Sequence, residues 1–179
     1  MIPAGYMAKR VINKSDWLKA SGVEDIYSMS GCVSNYFVDY IKLWKHNGYW
    51  LFDSPNAIEL IAQEQSIDLA GTTMFYYEVY EKEFDEAKQQ WCQFERDPSF
   101  GTDVRLPDRK SLKGYDLVTF AAQTNPGCSP LSCNSLANEI QTNSHCLLPN
   151  FDMAKHLVES GKFKDSEPGP YRIFAVYTV

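Results

Sequence analysis

The chain has few of the features that usually announce a function. No apolar run approaches the roughly 18–20 residues that cross a bilayer as a helix, so no membrane partner is expected. The opening stretch, MIPAGYMAKRVINKSDW, has no apolar core of a secretory signal, and the expected localisation is cytoplasmic. Positive charge is not in excess: 17 Lys and Arg face 23 Asp and Glu, a net charge of −6. A uniform basic footprint is therefore missing, and nucleic acid is not an expected partner. Histidine is scarce, with three residues, and they form no metal-binding pair. A Gly-rich phosphate loop and a Ser nucleophile elbow are also missing, and no cofactor is expected. The cysteine count of five is odd and the spacing irregular, which reads as reduced thiols and not as a disulfide framework.

What the chain does have is apolar material. Of its 179 residues 44% are hydrophobic and 14% aromatic, ample for a buried core. That length fits a single compact domain over 1–179, or two similar halves that share one core. Local patterns predict a short strand over 7–12, a helix over 15–20 capped by Ser15 and ended by Gly22, and a strand over 25–29. Phe37, Tyr40, Ile41 and Trp44 recur at helical spacing within 34–46. A short buried strand follows over 49–52. Ser54 and Pro55 then make a helix start, since the proline's missing N–H costs nothing at the first helical position. Residues 72–84 alternate as a long strand and 91–94 return as a hairpin arm. Residues 97–114, rich in Pro, Gly, Asp and Lys, read as a connector. A strand over 116–120, an irregular loop, a helix over 151–160 capped by Asn150 and stopped by Gly161, and a strand over 171–179 complete the chain. The expected fold class is α+β with a mixed sheet.

The second part repeats the order of the first. Residues 143–148 take the place of 47–52 at an offset of 96, and the helix at Phe151 stands where the helix at Pro55 stood. Segment 25–84 is therefore expected to match segment 116–179. A strand–helix–strand unit of this size cannot hide its sheet face alone, whereas two joined units can.

The loop over 125–144 is the segment that folding explains least. Cys128 and Cys133 lie in it, and His145 and Cys146 follow it directly. Cys-x4-Cys with a neighbouring His-Cys is poor zinc spacing, and no metal is expected. A thiol with a nearby imidazole supplies a nucleophile and a base, so Cys128, Cys133 and His145 are the candidate catalytic residues. Asn125, Ser132, Cys133, Asn134, Asn143 and His145 are the candidate binding residues, because irregular loops on rigid scaffolds carry binding groups. Cys32 at a turn, His46 at a helix end, His156 inside the second helix and the hairpin acids Glu78, Glu81, Glu83, Asp85 and Glu86 have simpler explanations as structural or solvated groups. The expected function is non-enzymatic binding of a protein or small molecule through this loop. The alternative is a thiol-dependent enzyme with His145 as its base.

Overall fold

The computed structural model describes residues 1–30, 35–36, 45–120 and 127–179. The chain is α+β. Its strands are β1 (Ile2–Arg10), β2 (Ile12–Asn13), β3 (Asp25–Ile26), β4 (Asn35–Tyr36), β5 (Thr73–Val79), β6 (Lys82–Asp85), β7 (Gln90–Gln93), β8 (Ser111–Thr119) and β9 (Tyr171–Thr178). Its two described helices are α1 (Pro55–Gln65) and α2 (Phe151–Glu159). One sheet holds seven strands, and β2 with β3 forms a separate ribbon.

Strand β9 is the axis of the large sheet. It pairs with β8 along its whole length, from Ser111 opposite Thr178 to Thr119 opposite Tyr171. Its other edge is shared: β5 covers Phe174–Thr178 and β6 takes up Tyr171 opposite Phe84. The long strand read over 72–84 is thus β5 and β6 with a break at Tyr80, whose N–H donates to the Ile173 carbonyl at 2.9 Å. β7 completes the expected hairpin, with Trp91 opposite Phe84. β1 lies on the far edge of β5 and β4 beyond it. In β1 residues 4–9 and in β9 residues 171–176 are buried without interruption, so both faces of the sheet are covered there.

Where a mixed sheet was expected, every described pairing is antiparallel. The reason lies in the connections: α1 and α2 each join antiparallel neighbours, β1 to β5 and β8 to β9, and a parallel pair needs a crossover instead. Residues 15–20 hold a turn at Asp16–Trp17 and no helix. Of the strand expected over 25–29, only Asp25–Ile26 pairs, and it pairs with β2 outside the large sheet. Asn35–Tyr36 of the expected helix over 34–46 are strand, and residues 37–44 lie outside the described residues.

Two of the four helix signals, at Ser54-Pro55 and at Asn150, hold. Ser54 Oγ accepts the Ala57 N–H and caps α1, with Pro55 first in the helix, and Asn150 Oδ1 accepts the Met153 N–H at 2.8 Å and caps α2. Each helix buries two residues one turn apart, Ile58 with Ala62 and Ala154 with Val158. The first pair joins a core with Phe75, Tyr77 and Phe174, the second a core with Leu117, Leu131 and Ile173.

The expected short strands at 49–52 and 147–148 are single bridges to the sheet, and the two are alike in detail. Tyr6 exchanges both backbone hydrogen bonds with Phe52, and Tyr115 exchanges both with Leu148. One asparagine braces each loop. Asn47 Nδ2 donates to the Ala4 carbonyl while its Oδ1 accepts from the N–H groups of Tyr49 and Leu51. Asn143 Nδ2 donates to the Lys113 carbonyl, and its Oδ1 accepts from His145 and Leu147. Trp50 and Cys146, at the same point of each loop, have φ of 65° and 60°. β1 and β8 share a further feature that 25–29 lacks: Gly5 opposite Tyr77 and Gly114 opposite Val176 each sit at a bulge.

Candidate functional site

The residues singled out from sequence go to several places. Asn125 lies outside the described residues, as does Cys32. Asn143 is taken up by the loop it braces. His145 sets Nδ1 2.6 Å from Asp25 Oδ1 and stacks on Tyr27 with ring centroids 4.0 Å apart. Cys133 Sγ lies 3.5 Å from Ser30 Oγ. His145 and Cys133 are thus tied to different residues of one segment, 25–30. Cys128 contributes its carbonyl to the Thr119 N–H at 3.0 Å. Asn134 Nδ2 donates to Glu167 at 3.3 Å, and its Oδ1 has no partner among the described residues. Ser132 is fully buried and its hydroxyl is likewise without a partner there. Leu131, Ala137 and Ile140 sink into the second core, so this loop is in good part a plug of the fold.

The four described cysteines are thiols, not disulfides. Cys146 is fully buried, and burial first, then the Asp116 charge, pushes its pKa up to about 12. We expect native protein at pH 8 to leave Cys146 unmodified by iodoacetamide while half-buried Cys92 reacts, and all five thiols to react once denatured. Peptide mass mapping reads this directly. Equal labelling of Cys146 and Cys92 in native protein would contradict the buried placement.

His46 is buried, with Nδ1 2.8 Å from the Asn47 carbonyl oxygen and its ring stacked on Trp50. His156 is exposed on α2. The hairpin acids disperse to separate partners: Glu78 to Lys110 and Tyr177, Asp85 to Lys88, Glu86 to the Gly169 N–H and Glu83 to Arg172.

That last pair opens the site that sequence reading passed over. The register of β6 on β9, with Phe84 opposite Tyr171, sets Glu83 beside Arg172 on the same face. Glu83 Oε2 accepts from Arg172 Nε at 3.0 Å and Nη2 at 2.8 Å. Phe94, just past β7, and Phe120, just past β8, hold the guanidinium between their rings, with centroids 3.2 and 3.8 Å from Cζ. The Arg172 side chain is only 7% exposed, and Nη1 has no hydrogen-bond partner among the described residues. Burial lowers its pKa to about 10 despite the Glu83 carboxylate, so its charge is only partly compensated.

Arg172 lines a cavity of about 520 Å³ with Trp50, Phe94, Phe120, Glu83, Asp85, Lys88, Glu95, Arg96 and Asp97. That is the size of a small-molecule site, but here charged side chains outnumber the aromatic ones, where such sites are mostly apolar. Chemically the arrangement offers donors at one buried point and charge of both signs at the mouth. The one clue in the sequence was an arginine in an otherwise apolar terminal strand, YRIFAVYTV. Burying such a group is expensive unless it is paired, and Glu83 supplies that pairing for two of its three nitrogens. Set against protein-family models, curated proteins and solved structures, the chain matches none of them.

Proposed function

We propose that the protein is a small-molecule binding module whose site is the Arg172 cavity, and not an enzyme. The observation that carries this reading is Arg172 itself, a residue of the cavity wall whose buried guanidinium has one nitrogen without a partner among the described residues. Buried donors left without acceptors cost about 1–3 kcal/mol, more for a charged group. A ligand that supplies the acceptor recovers that cost on binding. The recurrence of the two asparagine-braced loops supports an internal duplication, with binding chemistry acquired on the side of the first loop, where Trp50 stands. We place the protein in the cytoplasm, acting through a small-molecule partner.

The test is two-dimensional amide NMR with four probes that share one phenyl ring: L-phenylalanine, 3-phenylpropionate, phenethylamine and benzyl alcohol. Binding at this site shifts the amides of 92–97, Phe120 and Arg172, and Arg172→Met removes those shifts. If no probe moves these amides, or if the binders move others, the site reading fails.

A second reading, a thiol-dependent enzyme with Cys128 or Cys133 as nucleophile, draws support from Asp25, which grips His145 Nδ1 in the way an orienting carboxylate holds a general base. Under that reading His145→Ala slows alkylation of the reactive cysteine at neutral pH by tenfold or more, and an unchanged rate removes it.

A further inference from the structure

We propose that the cleft beside the start of α1 docks an aromatic side chain carried by an extended segment of a partner protein. It shares no lining residue with the Arg172 cavity and is independent of that reading. The starting observation is a likeness of two places within the chain. The Val179 N–H donates to the Met74 carbonyl at 3.4 Å, as the Tyr80 N–H donates to the Ile173 carbonyl at 2.9 Å. Tyr6 pairs with Tyr76 of β5 and bridges to Phe52, as Tyr115 pairs with Ala175 of β9 and bridges to Leu148. Pro55 and Phe151 each follow the cap of their helix. Tyr6, Pro55, Met74 and Val179 thus form one frame, and Tyr115, Phe151, Ile173 and Tyr80 form its likeness.

What fills the two frames differs. In the second, ring centroids of Tyr115 and Phe151 lie 6.3 Å apart, those of Phe151 and Tyr80 5.1 Å, and those of Tyr80 and Trp91 5.1 Å. A ring from the helix start and one from β7 therefore close the space. In the first frame Pro55 offers no ring, and all four residues line one cleft of about 710 Å³ walled by 105–109. The second frame shows what covers such a place: an aromatic side chain on a strand. Among the charged lining residues Glu59 and Asp108 offset Arg105 and Arg109, so the cleft selects a neutral group. Leu106, 68% exposed, and Val179, 47% exposed, carry apolar surface past the cleft, which suits a protein segment better than a free small molecule.

Two-dimensional amide NMR with N-acetyltryptophanamide, an uncharged stand-in for a residue within a chain, tests the site. It shifts the amides of Glu59, Met74, Arg105, Leu106 and Val179. It binds at least about tenfold more tightly than N-acetylalaninamide, the scale of burying one large apolar side chain. Pro55→Phe, which sets a ring where Phe151 has one, fills the cleft and removes the binding. Leu106→Ser changes an exposed side chain, leaves the fold intact and weakens binding severalfold, so it carries the test even where Pro55→Phe disturbs folding. The proposal is overturned if the probe moves none of these amides, or if Leu106→Ser or folded Pro55→Phe binds it as wild type does. Indole bound there more tightly than N-acetyltryptophanamide also overturns it, since the cleft then takes a free ring and not a residue of a chain. None of these outcomes bears on the Arg172 cavity, which is read at the amides of 92–97.

Discussion

Gly114→Ala is expected to cost about 3–5 kcal/mol, a large part of the 5–15 kcal/mol that holds an ordinary domain together. Gly114 has φ +147°, where L side chains rarely go, and a Cβ there would lie 2.7 Å from Leu147 Cβ and 2.9 Å from the Leu148 carbonyl oxygen. Two penalties combine. Backbone strain of this kind costs about 1–3 kcal/mol, and pushing atoms apart in a packed region costs about as much again. The displaced groups are also those that Asn143 and the Tyr115–Leu148 bridge hold in place. Gly5→Ala should behave the same way, because its Cβ would sit 2.5 Å from the Phe52 carbonyl oxygen at φ +132°. Gly22→Ala is the control, since nothing lies within 4 Å of its Cβ, and it should change stability by about 0.5 kcal/mol or less. Urea unfolding midpoints measure all three. If Gly5→Ala and Gly114→Ala match the control, the close approach of loop to strand is wrong.

Asp116→Ala should cost about 3–5 kcal/mol, through charge and hydrogen bonding instead of space. Asp116 is fully buried and accepts four hydrogen bonds. Ser28 Oγ and the Met29 N–H reach Oδ2 at 2.9 and 2.7 Å; Ser129 Oγ and the Leu117 N–H reach Oδ1 at 2.6 and 2.9 Å. Lys9, 1% exposed, is the nearby cation, and its ammonium donates to the Ser28 and Ser30 carbonyls. One carboxylate therefore ties 28–30 and 127–129 to the sheet, and its removal leaves four donors and a buried cation uncompensated. Asp116→Asn keeps the shape but turns a donor toward converging donors, and about 2 kcal/mol is expected.

The same residue sets a pH signature. Burial raises the Asp116 pKa, and the bonds from Ser129, Met29 and Ser28 and the charge of Lys9 only partly oppose this. The folded state then holds the proton more tightly than the unfolded chain. The contribution of Asp116 to stability is therefore largest at low pH, and falls as pH rises from the unfolded carboxylate value of about 4 through the raised folded value. Tyr77, whose buried hydroxyl faces the same charge, stays protonated throughout this window because its own pKa is raised well above its usual value. The difference in unfolding free energy between wild type and Asp116→Asn should fall with rising pH across that window. A difference independent of pH would remove the buried-carboxylate account.

Local signals were legible because local physics decides them. Ser54-Pro55 and Asn150 start helices whatever surrounds them, since a cap satisfies N–H groups within its own first turn. The alternation of 72–84 and the return at 91–94 gave the hairpin for the same reason. Segment 15–20 has a cap residue but is too short to hold a helix on its own, and only a turn at Asp16–Trp17 forms there. The loop over 125–144 drew attention for its composition, yet Leu131, Ala137 and Ile140 show that much of it is core.

By itself the sequence determined the α+β class, both described helices with their caps, and the hairpin. These depend on neighbours a few residues apart. Only the tertiary structure decided that every described pairing is antiparallel and that Asp25 holds His145. It alone brought Glu83, Phe94, Phe120 and Arg172 to one point. Glu83 and Arg172 come from two strands, Phe94 and Phe120 from just past the ends of two others, and their meeting is set by the register of β6 on β9. Register is a choice among long-range pairings, and no short window of sequence contains it.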